Sequence, residues 1–251
     1  MMYNINYLSN QLKKKINNNT QIVQLYSDEL FSKYYDNISG KGKSLQRDII
    51  FYKNNINPNK LTLEIASGNG RVISSLIDEN FNVKGIEKEA TMIEQMEYKY
   101  RSHIYQNDVF EFDKLNEIYS QADYIIIPAT SISLFSAQDI ELFIQNLINL
   151  NKSFVLMFDF IDIESLINEK PKKEKNELGT FYIQNFKVKQ NDIEVIVYNI
   201  FHKESNKLGY SVKFSHNKDL FMDIMENCGL SCEIKINNNN YYMIRGEFNG
   251  K

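Results

Sequence analysis

The sequence contains little cysteine and little histidine, and it shows no excess of basic residues. Its two cysteines, Cys228 and Cys232, lie close together with no second pair and no neighbouring histidine, which argues against a disulfide framework and against a zinc or other metal site. We expect both to be free thiols, buried in a protein of the reducing cytosol. With 29 Lys and Arg residues against 32 Asp and Glu, the net charge is -3, which disfavours nucleic acid as a partner.

Long apolar runs are also missing. No segment is apolar over the length that a membrane span requires, and the first residues lack the apolar core of a signal peptide. We therefore expect a cytoplasmic protein that does not enter a membrane. The 251 residues, 43% hydrophobic and 24% charged, are typical of one large globular domain, or of one domain with an insertion.

Apolar residues at roughly helical spacing mark the first part of the chain. They recur from Ile22 to Tyr34 after a possible helix cap at Thr20, and a second helix is predicted after a cap at Ser44. The sequence therefore predicts an N-terminal helical cover over residues 1–56.

Short apolar strands then alternate with helices. Strands are predicted over 61–65, 81–87, 103–108, 122–129 and 153–161, with a helix after each of the first four. A charged connector over 168–177 precedes three antiparallel strands, a last helix ending at Gly229 and two final strands. This order predicts a doubly wound α/β sheet of seven strands from residues 57–161 and 216–251, with an antiparallel β insert or lid over 162–215 after the fifth strand.

Three consecutive strand ends carry a turn and two acids. The segment "LEIASGNGR", residues 63–71, follows the first strand, and Gly68 and Gly70 let a ligand approach its backbone closely. Glu87 ends the second strand, where a carboxylate can accept both hydroxyl hydrogens of a ribose. Asp108 ends the third strand on the same edge and is suited to an adenine amino group.

Two common nucleotide sites fit this turn poorly. A dinucleotide fingerprint needs a small residue where the chain has Ile73, and a P-loop needs Lys-Ser or Lys-Thr where it has Arg71 and Val72. Glu64 would repel a pyrophosphate but would suit a ligand with an ammonium group. A ribose, an adenine and a cationic amino-acid tail together describe S-adenosyl-methionine.

At these residues the chain resembles the class I S-adenosyl-methionine-dependent methyltransferases. "LEIASGNGR" resembles their first motif, with Ala66 where a first glycine is common. "VKGIEKEATMI", "YQNDVFEF" and "ADYIIIPATSISLF" resemble the second, third and fourth. The resemblance covers roughly residues 30–160 and implies a Rossmann-like fold, methyltransferase activity and S-adenosyl-methionine as the cofactor.

The resemblance also implies a role for individual residues around the cofactor. Its methionine end would be lined by Glu64, Ala66, Ser67, Gly68 and Gly70. Its carboxylate would meet Arg71 and either Tyr34 or Tyr35. Glu87 would hold the ribose, Lys88 would flank the adenine, Asp108 and Val109 would hold the adenine edge, and Pro128 and Ala129 would face the sulfonium.

Methyl transfer is an in-line displacement, so the protein mainly orients two partners and needs a base only if the acceptor arrives protonated. The candidates are Tyr34, Tyr35, Thr130, Ser131, Ser133, Asp159, Asp162 and His202. We predict catalytic roles among Tyr34, Tyr35, Ser131 and His202, although the tyrosines also suit a helix's core face and Ser131 a helix cap.

The acceptor is less well defined by the sequence. "PATS" replaces the Asn/Asp-Pro-Pro-Tyr/Phe motif of the enzymes that methylate adenine, cytosine or glutamine. The insert resembles that of small-molecule N-methyltransferases, where it forms a lid or a dimer surface. We predict a small-molecule acceptor, an amine ahead of a hydroxyl, and a monomer or a homodimer through the insert. The alternatives are a peptide acceptor, an inactive partner subunit that binds the cofactor, and a nicotinamide-dependent oxidoreductase.

Overall fold

The computed structural model of the protein describes residues 7–39, 46–190, 193–238 and 240–250. The strands are β1 Gln21–Gln24, β2 Thr62–Ile65, β3 Val83–Ile86, β4 Ile104–Tyr105, β5 Tyr124–Ile127, β6 Ser153–Ile161, β7 Lys172–Asn176, β8 Gly179–Gln190, β9 Ile193–His202, β10 Lys207–Phe214, β11 Ser231–Asn238 and β12 Tyr241–Asn249. The α-helices are α1 Glu29–Ser39, α2 Arg47–Asn55, α3 Arg71–Asp78, α4 Ala90–Ile93, α5 Tyr98–Arg101, α6 Phe112–Gln121, α7 Ala137–Leu150 and α8 Lys218–Asn227. Ser131–Leu134 and Ile163–Leu166 form short 3-10 helices.

The described residues form a central sheet of seven strands in the order β11-β12-β6-β5-β2-β3-β4. β12 is antiparallel to both of its neighbours, whereas β6, β5, β2, β3 and β4 run parallel. The chain moves from β2 outward to β4 and then returns to β5 on the other side of β2. This reversal opens a crevice at the carboxyl ends of β2 and β5, the place where α/β sheets bind ligands.

Helices cover both faces of the central sheet. α6, α7 and α8 pack on one face and α2 and α3 on the other, each over its own apolar cluster. Within β5, Ile125 and Ile127 face the first cluster and Ile126 faces the second. Because both faces are covered, the strand is apolar at every one of these positions, as a parallel strand buried on both sides must be. The predicted doubly wound α/β fold is confirmed.

A second sheet, which we call the roof sheet, has the order β1-β10-β9-β8-β7 among the described residues. One of its faces packs on Leu8 and Leu12 near the N-terminus, and the other packs on Phe31 and Tyr34 of α1. Three of its strands, β8, β9 and β10, are the antiparallel strands that the sequence predicts for the insert.

The roof sheet also corrects two predictions. Gln21–Gln24, predicted as helix, forms β1 and pairs in parallel with β10, so α1 begins only at Glu29 and Thr20 caps no helix. Lys172–Asn176, predicted as a solvated connector, forms β7 at the edge of the sheet against β8. β1 pairs with a strand far away in the chain and β7 forms a hairpin with the next strand, and in both segments this pairing overrides local propensity. The cap predicted at Ser44 lies outside the described residues.

A smaller difference concerns residues 88–100, predicted as one helix. They form α4 and α5, with a turn between Glu94 and Glu97. No helix among the described residues is long and apolar enough to cross a membrane.

We expect Gly70→Ala to destabilise the fold more than Gly229→Ala does. Both glycines have left-handed φ angles, 80° and 86°, so alanine costs each about 1–2 kcal/mol. A Cβ on Gly70 would also lie 2.6 Å from Met96, whereas nothing lies within 4 Å of one on Gly229. Chemical denaturation should show a further loss of roughly 1–3 kcal/mol for Gly70→Ala. Equal losses would contradict this packing.

Candidate functional site

The crevice at the carboxyl ends of β2, β3 and β5 contains a cavity of about 430 Å³, within the range of small-molecule sites. The predicted cofactor residues that line it are Glu64, Ala66, Ser67, Gly68, Arg71, Glu87, Lys88, Asp108, Val109, Pro128 and Ala129. Gly70 does not line it; this residue is the N-cap of α3 and leaves room for Met96. Tyr26 and Tyr35 of the N-terminal region and Lys213 of β10 complete the wall.

The turn after β2 contains two residues with a left-handed backbone conformation, and a carboxylate holds it in place by hydrogen bonds. Ala66 and Gly68 have φ angles of 54° and 56°, a region that favours glycine. Glu87 Oε2 accepts a hydrogen bond of 2.8 Å from the Gly68 amide, and its Oε1 accepts one of 2.9 Å from the Glu89 amide. Burial raises the pKa of Glu87, whereas these amides lower it. The acid that ends β3 thus fixes the turn that ends β2.

Glu64, at the floor of the cavity, is a buried acid with an unsatisfied oxygen. It is 1% exposed, and its Oε2 has no hydrogen-bond partner among the described residues. Burial raises its pKa well above the usual value, and the charge of Arg71 opposes that shift only in part. A buried acceptor without a partner is costly, so this oxygen is suited to a donor or a cation in the cavity.

Arg71 ties the N-terminal cover to the site. Its guanidinium forms a two-pronged ion pair with Asp48 of α2, with 2.9 Å between Nη1 and Oδ1 and a second, shorter contact between Nη2 and Oδ2. Asn69 likewise donates to Asp36 of α1 at 2.7 Å. The turn after β2 is therefore fixed by both cover helices.

The segment after β5 is strained. Ala129 and Thr130 both have φ of 58°, an uncommon conformation for residues other than glycine. The Thr130 amide donates to Asp159 Oδ2 at 3.0 Å, and the Tyr52 hydroxyl donates to Asp159 Oδ1 at 3.0 Å. Burial, with the charge of Asp48, raises the pKa of Asp159 to about 7. Asp159 thus stabilises this segment by accepting the hydrogen bond of the Thr130 amide, but it does not line the cavity itself.

Only some of the predicted catalytic residues line the cavity. Tyr35, Thr130 and Ser131 line the cavity. Tyr34 points from a different face of α1 and packs against Phe181.

Tyr34 and His202 both have partners elsewhere. The Tyr34 hydroxyl donates to Glu174 at 2.7 Å. His202 is buried in the roof sheet, with Nδ1 2.8 Å from the Ser205 hydroxyl and Nε2 2.9 Å from the Leu178 carbonyl. Neither residue lines the cavity, and neither do Ser133 and Asp162.

Lys213 is the main residue that the sequence analysis missed. Its half-buried side chain enters the cavity from β10, with Nζ 5.1 Å from the centre of the Tyr198 ring. Burial lowers its pKa to about 8. The alternation of side chains along β10 could have identified it. Leu208 and Tyr210 pack on the face of the roof sheet that carries Leu8 and Leu12, so the odd-numbered residues of β10 point to the other face.

The two cysteines are free thiols, as predicted, although they are only partly buried. Burial raises the pKa of both Cys228 and Cys232. In the described ranges no group of three or more His, Cys, Asp or Glu side chains is placed to hold a metal ion.

The fold is similar to solved structures of S-adenosyl-methionine-dependent methyltransferases. One from Clostridium acetobutylicum has 15% identity and a TM-score of 0.66 over 88% of this chain and 98% of its own. The sugar N-methyltransferase KedS8 from Streptoalloteichus has 14% identity and a TM-score of 0.65 over 86% and 92%. CalS10, an amino pentose methyltransferase from Micromonospora echinaspora, has 11% identity and a TM-score of 0.62 over 85% and 96%.

These likenesses confirm the predicted fold class: the chain has the Rossmann-like fold of the class I S-adenosyl-methionine-dependent methyltransferases. No protein-family model and no curated protein sequence matches the chain.

We expect Asp159→Asn to remove a pH dependence of stability. A carboxyl whose pKa is about 7 in the folded state and about 4 in the unfolded state stabilises the fold at low pH and loses that contribution as pH rises through 7. Between pH 4 and pH 8, the unfolding free energy of the wild type should fall relative to that of the variant by on the order of 3 kcal/mol.

Urea denaturation at several pH values measures this difference. The matched control is Asp113→Asn, on an exposed position of α6. A flat difference between the wild type and Asp159→Asn would show that the buried carboxyl does not titrate in this range.

Proposed function

We propose that this protein is a methyltransferase that uses S-adenosyl-methionine and acts on an amine of a small molecule. The observation that carries the proposal is the acidic edge of the cavity. Glu64, Glu87 and Asp108 lie on β2 or just after β3 and β4, and all three line one cavity beside a left-handed turn. This arrangement provides an acceptor for an ammonium, a ribose and an adenine in one row.

The methionine end of the cofactor is assigned to the β2 turn. Its ammonium would supply the partner that Glu64 Oε2 lacks. Its carboxylate would lie near Arg71 and Tyr35, which both line the cavity. Glu87 keeps free lone pairs beyond its two amide hydrogen bonds, so it can still accept from ribose hydroxyls.

The adenine would lie farther along the same edge. Asp108 and Val109 hold its edge and Lys88 flanks it. Ile73 is buried in the core and packs against Gly85 of β3. A dinucleotide site has a small residue at this position, so Ile73 favours S-adenosyl-methionine over a nicotinamide cofactor.

Orientation would provide most of the catalysis. The methyl group moves from the sulfonium to the acceptor nitrogen: the carbon–sulfur bond breaks, the carbon–nitrogen bond forms, the resulting ammonium releases one proton to water, and S-adenosyl-homocysteine leaves. The strained segment from Pro128 to Ser131 would face the sulfonium. Ser131 and Thr130 are the hydroxyl side chains of that segment and line the cavity, and they would orient the amine.

The insert, residues 162–215, would act as the lid that selects a small acceptor. KedS8, a sugar N-methyltransferase, and CalS10, an amino pentose methyltransferase, share the fold, which supports an amine over a hydroxyl. We propose that the enzyme is cytoplasmic, because its two free thiols would stay reduced in that compartment.

The first test is cofactor binding by calorimetry. Wild-type protein should bind S-adenosyl-methionine and S-adenosyl-homocysteine but not NAD. Glu87→Gln should weaken binding of both sulfur compounds by about tenfold or more, because a charged acceptor for the ribose is lost. The matched control is Glu94→Gln, an exposed residue outside the cavity. If folded wild-type protein binds neither sulfur compound, the proposal is wrong.

The neighbouring tyrosines of α1 provide a second test. Tyr35→Phe removes a hydroxyl from the cavity and should weaken binding of S-adenosyl-homocysteine by roughly threefold to tenfold. Tyr34→Phe removes the hydrogen bond to Glu174 and should lower stability by about 1 kcal/mol without changing that affinity. Calorimetry and thermal denaturation separate the two. The reverse pattern would assign the cofactor contact to Tyr34.

A further inference from the structure

Lys213 brings a positive charge into the cavity from the roof sheet. Among the described residues no carboxylate lies within ion-pair distance of its Nζ. The Nζ atom lies 5.1 Å from the centre of the Tyr198 ring. The half-buried position removes much of the water that would otherwise solvate this ammonium. A partly desolvated cation of this kind is stabilised by an anion.

Several other charged groups around the cavity have partners within the protein, although Glu64 Oε2 has none among the described residues. Arg71 is paired with Asp48, and Lys88 lies 3.6 Å from Asp108. Asp139 accepts from the amide and the hydroxyl of Ser136. Among the described residues, none of the acids that line the cavity lies within ion-pair distance of Lys213.

One carboxylate beyond ion-pair distance interacts electrostatically with Lys213, but it does not neutralise the charge of the lysine. That residue is Asp159, and its two oxygens already accept from Tyr52 and from the Thr130 amide. Burial also favours the protonated, neutral form of Asp159, so it offers Lys213 only part of a negative charge.

A cationic acceptor alone would fit this end of the cavity poorly. The proposed cofactor already brings a sulfonium, and Lys213 adds a second positive charge on the roof. An acceptor that carries an anionic group removes this repulsion and satisfies the lysine at once.

We propose that the acceptor is a small amine that also carries an oxyanion, a carboxylate or a phosphate, and that Lys213 binds this group. The inference rests on the proposed methyltransferase function and names the substrate class of that site. The ion pair fixes one end of the acceptor on β10, and the amine then points down toward the segment from Pro128 to Ser131. Lys213 is thus a specificity-determining residue of the roof.

The test uses full-length protein saturated with S-adenosyl-homocysteine and two simple anions, malonate and inorganic phosphate, at constant ionic strength. Calorimetry should show binding of one or both anions to wild-type protein. Lys213→Met should weaken it by at least about tenfold, and Lys213→Arg should retain it. Lys187→Met, an exposed lysine of the same sheet, is the control and should leave anion binding unchanged. The anion that binds more tightly indicates whether the acceptor carries a carboxylate or a phosphate.

The outcomes separate two failures. Binding of S-adenosyl-homocysteine by wild type and Lys213→Met, with no anion binding or with equal anion binding in both, overturns this inference alone. Absence of S-adenosyl-homocysteine binding by folded wild-type protein overturns the proposed function and this inference with it. If Lys213→Met lowers turnover of a neutral amine without changing its KM, the lysine accepts a proton instead, which also contradicts the inference.

Discussion

The positive charge of Arg71 lies among the buried acids on which the site is built. It pairs with Asp48 and also lowers the pKa of Glu64 and of Asp159. Burial still outweighs it at Glu64 and Asp159, whose pKa values remain raised, because one guanidinium cannot compensate three desolvated carboxyls. The buried acids around Arg71 therefore outnumber it. A ligand with an ammonium, such as the proposed cofactor, would bring a positive charge beside Glu64, which lines the cavity.

The core of the fold could be predicted from the sequence because its signals are local. β6 and α6 occur at the predicted positions, since a continuous apolar run and a helical spacing of apolar residues each identify one element. β1 and β7 could not be predicted in this way. Both are short. β1 is a strand because β10 pairs with it from far away in the chain, and the largely charged β7 is a strand because the next strand, β8, pairs with it.

The same distinction applies to the candidate site. The turn after β2 and the acids Glu87 and Asp108 were predictable because each follows a strand at a fixed spacing. The sequence left Tyr34 and Tyr35 as alternatives, since which side of α1 faces the cavity depends on where the roof sheet packs. Lys213 comes from a strand with no motif, and only the placement of β10 over the crevice brings it to the site.

Placement of the roof sheet in turn determines how an acceptor can be oriented. The roof is attached to the core at more than one point. Phe31 of α1 fills the space above Gly209 of β10, and Thr91 of α4 donates to the Tyr26 carbonyl at 2.6 Å. β10 also packs on the 3-10 helix that begins at Ser131. Since Lys213 lies on β10 and the strained segment leads into that helix, this packed interface would set the distance between the proposed acceptor and the sulfonium. Catalysis by orientation needs such a fixed distance, and a freely hinged lid would not provide it.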